Sequence, residues 1–366
     1  MEAYLVDEPD DVLALGPAWR ELAERAKARP FQDHAWCASW QGTHGAARGR
    51  RPCVAILRSG RRLLAVLPLA RGRYGGLRVL EWMGAKPSDY CDALVDPSIE
   101  PRAALRRLWR EVARRGFDLA HLARVPADAT CWALLEGLGG WATEGEYVSE
   151  VPITWPDGRA WLRGLSKPSR ELIGRRLRRL ASAGVTFRVG AAAGDRAELV
   201  ETVLRHKVAM VEAAGTPGFL TEPGGPEFVR AMAAAMAGRG LLHLSALRSD
   251  EAVAAAHLGF LHEGTLYYYM PAFDPAWAKH GPGHLLLASL VMWCCDNGVR
   301  RLDLLSGDEP YKRRFRPRVM PPTRSVLVPG SVLGRAALTG YRLLGRSGAR
   351  HAGAVPRDDP DLGTPG

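Results

Sequence analysis

The chain has 366 residues, long for one compact domain and comfortable for two, and its hydrophobic fraction of 47% can supply sizeable cores. Fifty Lys and Arg against 39 Asp and Glu leave a net charge of +11, which suits polyanionic partners as much as it suits an arginine-rich solvated surface. No apolar run reaches the ~20 residues of a membrane span; Met1–Pro9 lacks the basic-then-apolar order of a secretory signal, and six scattered cysteines without zinc-ligand spacing read as free thiols of a reducing cytoplasm, with no metal centre expected.

In chain order, 11–28 predicts a helix whose apolar face is Leu13, Leu15, Trp19, Leu22 and Ala26, and 33–41 a second one with Trp36 and Trp40 turned to the core. Two strands, 52–58 and 62–69, flank a Ser59-Gly60 hairpin turn. Strands at 77–82 and 90–95, a helix at 101–115 through Leu105, Leu108 and Val112, a strand at 117–122 and a helix at 130–138 complete the first half.

The second half begins with a strand at 151–155. Ser166 caps a helix to about Ser182 whose outer face carries Arg170, Arg175, Arg176, Arg178 and Arg179. A strand at 185–189 and helices at 196–213 and 226–237 lead into three strands, 241–248, 252–261 and 265–271. A helix at 282–297, strands at 301–305 and 323–328, and a basic amphipathic helix at 331–345 follow. The last twenty residues are Gly- and Pro-rich and predict disorder. Both halves mix hairpins with helices, an α+β arrangement, and read as a diverged internal duplication.

Two segments can carry chemistry. The strand at 265–271 runs through Ala278-Lys-His-Gly-Pro-Gly-His284 into an apolar helix. A helix start offers unpaired N–H groups and a positive dipole end, and Gly281 and Gly283 allow close backbone approach, so Lys279, His280 and His284 complete a candidate pyrophosphate cradle. A well-capped helix without a ligand has the same Gly-Pro-Gly. The second segment is 302–315, where a strand meets a turn crowded with Asp303, Asp308, Glu309, Tyr311 and Lys312. The carboxylates are candidate bases, Tyr311 and Lys312 candidate acids or charge stabilisers; a surface loop of paired charges is the plainer reading. His257 in an apolar strand and His206 in a helix read as structural histidines. No nucleophile elbow, Walker loop or metal motif is present.

These segments, in this order, together with Leu242–Arg248, Ala252–Ala255 and Tyr267–Asp274, resemble the CelD/BcsL-type (BioF2-like) acetyltransferases of the GNAT superfamily, relatives of the Fem-type transferases. In the first half, Trp19–Leu22, Pro30-Phe31, Ala65–Leu69 and Asp89–Asp92 extend the resemblance, which covers roughly residues 10 to 328. It implies tandem GNAT-like folds with mixed central sheets flanked by helices: an N-terminal unit at 1–150 without a donor site, a donor-binding unit at 151–330, and a basic helix and tail at 331–366. The implied reaction is acyl transfer from a CoA thioester, acetyl-CoA above all, to a primary amine of a sugar, peptide or natural product in the cytoplasm. Tyr269, Met270 and Phe273 would line the pantetheine arm and His280–His284 would hold the pyrophosphate. Asp303, Glu309, Tyr311 and Lys312 would fall near the thioester.

The pattern departs from the family at two places. Ala278 stands where the general GNAT loop has Arg or Gln, with Lys279 as the neighbouring substitute, and Val208-Ala-Met-Val211 replaces an expected Trp near the acceptor pocket. The alternatives are a donor carried by an acyl carrier protein or an aminoacyl-tRNA, and a non-catalytic GNAT-fold binding protein.

Overall fold

The computed structural model describes residues 1–190, 193–215, 218–307 and 309–348. The first half runs β1 (Glu2–Val6), α1 (Pro9–Ala14), α2 (Gly16–Arg25), α3 (His34–Trp40), β2 (Arg51–Ser59), β3 (Arg62–Tyr74), β4 (Leu77–Trp82), β5 (Leu94–Val95), α4 (Pro101–Arg114), β6 (Leu119–Val125), α5 (Trp132–Leu135) and β7 (Trp141–Glu144). The single helix expected at 11–28 is two, because Pro17 has no N–H to give and its ring excludes the carbonyl one turn earlier. Leu13 is therefore left exposed, while Trp19 and Leu22 are fully buried. Asp33 caps α3 by accepting the Ala35 N–H at 2.8 Å, and Trp36 and Trp40 enter the core as expected.

The second half runs β8 (Val148–Pro152), α6 (Gly158–Gly164), α7 (Lys167–Ser182), β9 (Thr186–Val189), α8 (Ala193–Ala213), α9 (Gly225–Gly238), β10 (Leu242–Arg248), β11 (Val253–His262), β12 (Thr265–Phe273), α10 (Pro282–Asp296), β13 (Arg301–Ser306), α11 (Pro310–Arg313), β14 (Arg318–Met320), β15 (Arg324–Pro329) and α12 (Val332–Gly348). The disorder expected for the last twenty residues falls, from 349 on, outside the described residues, and its first two positions end α12.

Each half builds the same motif. An antiparallel meander, β2-β3-β4 or β10-β11-β12, is followed by a helix, α4 or α10, and a strand parallel to the last, β6 or β13. The sheet orders are β1-β2-β3-β4-β6-β15-β7, with β5 on β3, and β14-β8-β13-β12-β11-β10-β9. The last strand of the second half is thus inserted in the first half's sheet, β15 between β6 and β7, while β8, which opens the second half, lies between β13 and β14 of its own sheet. The strand expected to close the second half at 323–328 closes the first sheet instead. Its partners are set by pairing across some two hundred residues, which no local pattern encodes.

Three cores follow from this layering. Trp19, Phe31, Trp36 and Trp40 pack with Phe228, Phe260 and Leu244 in a central core between the two sheets. Helices α4 and α5 cover the outer face of the first sheet, and α6, α7 and α10 that of the second. A buried aromatic side chain of this kind removes roughly 150–250 Å² from water on folding, so at about 25 cal/mol per Å² each contributes several kcal/mol to a core that both halves share. All six cysteines are free and buried. Among the described residues no helix is long and apolar enough to cross a membrane, and no cluster of three or more His, Cys, Asp or Glu could hold a metal ion.

Candidate active site

The parallel pairing of β12 with β13 lasts only from Thr265 opposite Arg301 to Tyr267 opposite Asp303. Beyond it the strands separate, and between them opens a cavity of ≈ 490 Å³. Next to the split β12 carries a bulge. Leu258 faces Met270 and Phe260 faces Tyr267, so β12 has one residue more than β11 there. Gly259 lies opposite, where a Cβ would meet the Tyr267 carbonyl oxygen at 2.2 Å.

The bulge re-phases the strand. Before it Tyr267 faces the central core; after it Met270 and Ala272 do, while Phe273 turns to the outer face. Tyr269 and Phe273 line the cavity, with Pro271 between them. Met270 does not: its side chain is buried in the central core.

The far end of the cavity is the start of α10. Gly281 is its cap, at φ 64, and lines the cavity with Gly283 and His284. Pro282 has no N–H, and the Gly283 and His284 N–H groups fall in the unpaired first turn. A Cβ on Gly283 would meet nothing closer than Phe273 at 3.7 Å, so the glycine is not required by packing. Lys279 and His280 miss the cavity. They sit on a 3₁₀ turn, Pro275–His280, that exposes Lys279 and lays His280 against Trp277.

Other arginines supply the charge. The Arg176 guanidinium of α7 approaches so closely that a Cβ on Gly281 would lie 2.7 Å from its Nη1. Burial pushes the His284 imidazole down to about 4, and the fields of Arg314 and Arg176 add to the shift. His284 is thus a neutral imidazole at pH 7, and its Nδ1 has no partner among the described residues.

Among the expected catalytic residues, Glu309, Tyr311 and Lys312 line the same cavity. Asp308 lies outside the described residues. The Lys312 ammonium is buried and already engaged: it donates to the carbonyls of Leu304 at 2.9 Å and Ser306 at 3.0 Å and pairs with Glu309 at 2.8 Å. Its three protons are spoken for, which makes it a brace rather than an acid. Burial raises the Tyr311 phenol, so it keeps its proton at neutral pH; the Tyr268 hydroxyl is hydrogen-bonded to it. Asp303 is not in this cavity. It points to a smaller one of ≈ 210 Å³ on the other side of β13, beside Tyr90 and Arg29.

Two ionisable groups that sequence reading passed over do line the main cavity. Lys207 on α8 has its ammonium depressed by burial, with Glu309 and Asp89 opposing that shift, and it makes no hydrogen bond among the described residues. Its neighbour His206 does not line the cavity. Asp89 comes from the first half. Its side chain is 14% exposed, and burial raises its carboxyl from the usual range, against the lowering effects of Arg124 and Ser306.

Asp89 belongs to a loop pinned at consecutive points to the second half. The Tyr269 hydroxyl donates to the Pro87 carbonyl at 2.9 Å. The Ser306 N–H donates to Asp89 Oδ1 at 3.3 Å. The Tyr90 hydroxyl is 3.0 Å from each carboxylate oxygen of Asp303. The only local signal was the carboxylate-rich stretch Asp89-Tyr-Cys-Asp92; its destination depends on packing of the two halves.

Comparisons with known proteins agree with this geometry. Residues 168–313 match the family model described as an acetyltransferase (GNAT) domain. Among solved structures the fold is similar to that of FemX, at 11% identity and a TM-score of 0.60, covering 89% of this chain and 97% of that one. It is also similar to the C-terminal (DUF2156) domain assigned to a lysylphosphatidylglycerol synthetase of Agrobacterium fabrum, at 14% identity and TM-score 0.54 over 88% and 96% of the two chains. A third similar structure is L-PGS from Bacillus licheniformis, at 12% identity and TM-score 0.54 over 94% and 97%. No curated protein matches in sequence. The fold is the GNAT fold, with two mixed sheets flanked by helices, and the match to the acetyltransferase (GNAT) domain covers residues 168–313, which hold most of the cavity's lining.

Proposed function

We propose that the protein moves an acyl group from an acyl-CoA thioester, acetyl-CoA in the simplest case, to a primary amine of a sugar, peptide or natural product. One observation carries this reading: a single cavity joins a helix N-terminus, a split strand pair, a protonated tyrosine and a carboxylate of raised pKa.

The donor's phosphates would meet the free N–H groups of Gly283 and His284, with Arg176 and Arg314 as counter-charge in place of the Arg or Gln absent at Ala278. The pantetheine arm would follow Tyr269 to Phe273, where β12 has lost β13 as a partner. Pro271 brings no N–H, so stabilisation of the oxyanion falls to the neighbouring strand amides and to the Lys207 ammonium. The amine nitrogen attacks the thioester carbonyl and gives a proton to Asp89, directly or through water. The C–S bond breaks and the thiolate takes the proton of Tyr311. That proton is free to be donated because the Tyr311 oxygen is engaged by Tyr268.

A carrier-borne donor, on an aminoacyl-tRNA or an acyl carrier protein, is the second reading, and α7 favours it. Arg170, Arg175, Arg176, Arg178 and Arg179 have no carboxylate partner among the described residues, whereas Arg188, Arg230 and Arg318 pair with Asp250, Glu201 and Glu150. No aromatic residues are interleaved with these arginines to stack on bases. Titration calorimetry with acetyl-CoA, and filter binding with aminoacyl-tRNA and acyl carrier protein at 50 and 200 mM salt, separate the readings. Saturable CoA binding with only weak, salt-sensitive binding of the others supports the first; the reverse supports the second.

A further inference from the structure

Leu305 sits between the two cavities with φ 59, the left-handed region that a buried leucine rarely enters. Such strain persists only where the surroundings over-determine it. Here they do. The Leu305 N–H donates to Asp303 Oδ1 at 2.8 Å. The carbonyls on either side, of Leu304 and Ser306, both accept from the Lys312 ammonium. Asp303 is itself held by the Tyr90 hydroxyl through both oxygens. On the other edge of β13, pairing with β8 is regular at Asp303 opposite Glu150 and is shifted by the time Ser306 meets Val148.

This kink has a consequence for the site. It turns Leu304, Leu305 and Ser306 into the wall of the main cavity, and it presents the Ser306 N–H to Asp89. From this geometry we infer that Asp303 is a positioning residue, which with Tyr90 locks the Leu305 kink and thereby sets Asp89 and the Glu309 turn around the acceptor end of the cavity. The inference rests on the acyl-transfer reading for its kinetic consequence and stands on the kink for its structural one. Asp303 does not touch the reacting atoms; it works through the Leu305 amide.

The substitutions separate this role from that of a base. Asp303→Asn keeps an oxygen for the Leu305 N–H and for Tyr90 but cannot take a proton. Asp303→Ala keeps neither, and Tyr90→Phe removes the support while preserving volume. Thiol release across pH 5–9 and amide hydrogen exchange at Leu305 and Ser306 are measured on the full chain. Expected are a rate within about threefold of wild type and an unchanged pH profile for Asp303→Asn. Asp303→Ala should lose about tenfold or more, of the size that strain at a site of this kind commands, with faster exchange at both amides, and Tyr90→Phe should fall between. Loss of activity in Asp303→Asn equal to that in Asp303→Ala, with exchange unchanged in all variants, overturns the inference. If no donor and amine pair reacts in the wild type, the acyl-transfer reading fails, and exchange alone decides: faster in Asp303→Ala and Tyr90→Phe supports the lock, and unchanged exchange in both overturns it.

Discussion

The ammonium of Lys312 lies 2.9 Å from the carbonyl oxygen of Leu304, and it binds the Ser306 carbonyl and the Glu309 carboxylate as well. A lysine that looks like a catalytic acid in the sequence is the brace of a strained strand end. Replacing it with Met leaves buried carbonyls and a carboxylate without a partner. The expected cost is about 2–4 kcal/mol of stability, seen as a lower urea midpoint at unchanged slope. A Lys312→Met protein of wild-type stability with lost activity would return Lys312 to the chemistry.

Gly283 separates ligand binding from folding. Because Phe273 at 3.7 Å is its nearest neighbour, Gly283→Val should fold with a melting temperature within a few degrees of wild type. The side chain fills the place where a phosphate would meet the helix start, so affinity for CoA measured by calorimetry should fall at least about tenfold, a loss of about 1.4 kcal/mol.

Asp89 tests the contribution of the first half. Asp89→Asn removes the proton acceptor but keeps an oxygen for the Ser306 N–H. Turnover should drop about 10²–10⁴-fold, the usual range for a general base, with little change in donor affinity. The substitution should not destabilise the fold, because burial already disfavours this carboxylate. A rate within twofold of wild type would remove Asp89 from the mechanism.

Buried histidines set the acid side of the stability curve. Burial pushes His243 and His284 down to about 4, and His257 well below its usual value, with the His243 field adding to the effect. Each is neutral in the folded protein and titrates near 6.5 when unfolded. The unfolded chain therefore binds more protons as pH falls, and stability is lost from about pH 6.5 downward, by about 3 kcal/mol for His243 at pH 4. Asp303, raised by burial to about 7, acts with the opposite sign: it costs stability as pH rises from its unfolded value through 7. Comparing urea midpoints from pH 4 to 8 for wild type and His243→Phe isolates the histidine contribution. The variant should show a shallower acid limb; identical limbs would contradict the assignment.

Much of the fold could be read locally, because amphipathic periodicity and turn residues are local. β4 falls on Leu77–Trp82 as the alternation predicts, and the Ser166 cap starts α7 as its side chain allows. Short elements with weak patterns, β1, β7, α6 and β14, went unread, and Pro17 broke a helix whose apolar face looked continuous. The insertion of β15 between β6 and β7 of the first half's sheet is a long-range pairing, invisible to any window of sequence. The site divides the same way. Gly281, Gly283 and His284 are legible because a helix start announces itself. Met270 was misplaced by the β12 bulge, which reverses the alternation after Tyr269. Asp89 and Lys207 come from distant segments that only tertiary packing brings to one cavity, and Arg176 reaches the Gly281 cap at its end in the same way.

The central claim is acyl transfer at the split of β12 and β13, and free-thiol release tests it most directly. Wild type and Gly283→Val are incubated with acetyl-CoA and a panel of amino sugars, peptides and small amines, and the thiol is followed with a chromogenic disulfide. The account predicts amine-dependent thiol release by the wild type with at least one acceptor, and release slower by about tenfold or more at sub-saturating acetyl-CoA by the folded variant. Absence of both thiol release and CoA binding in the wild type, or equal release by Gly283→Val, would contradict it.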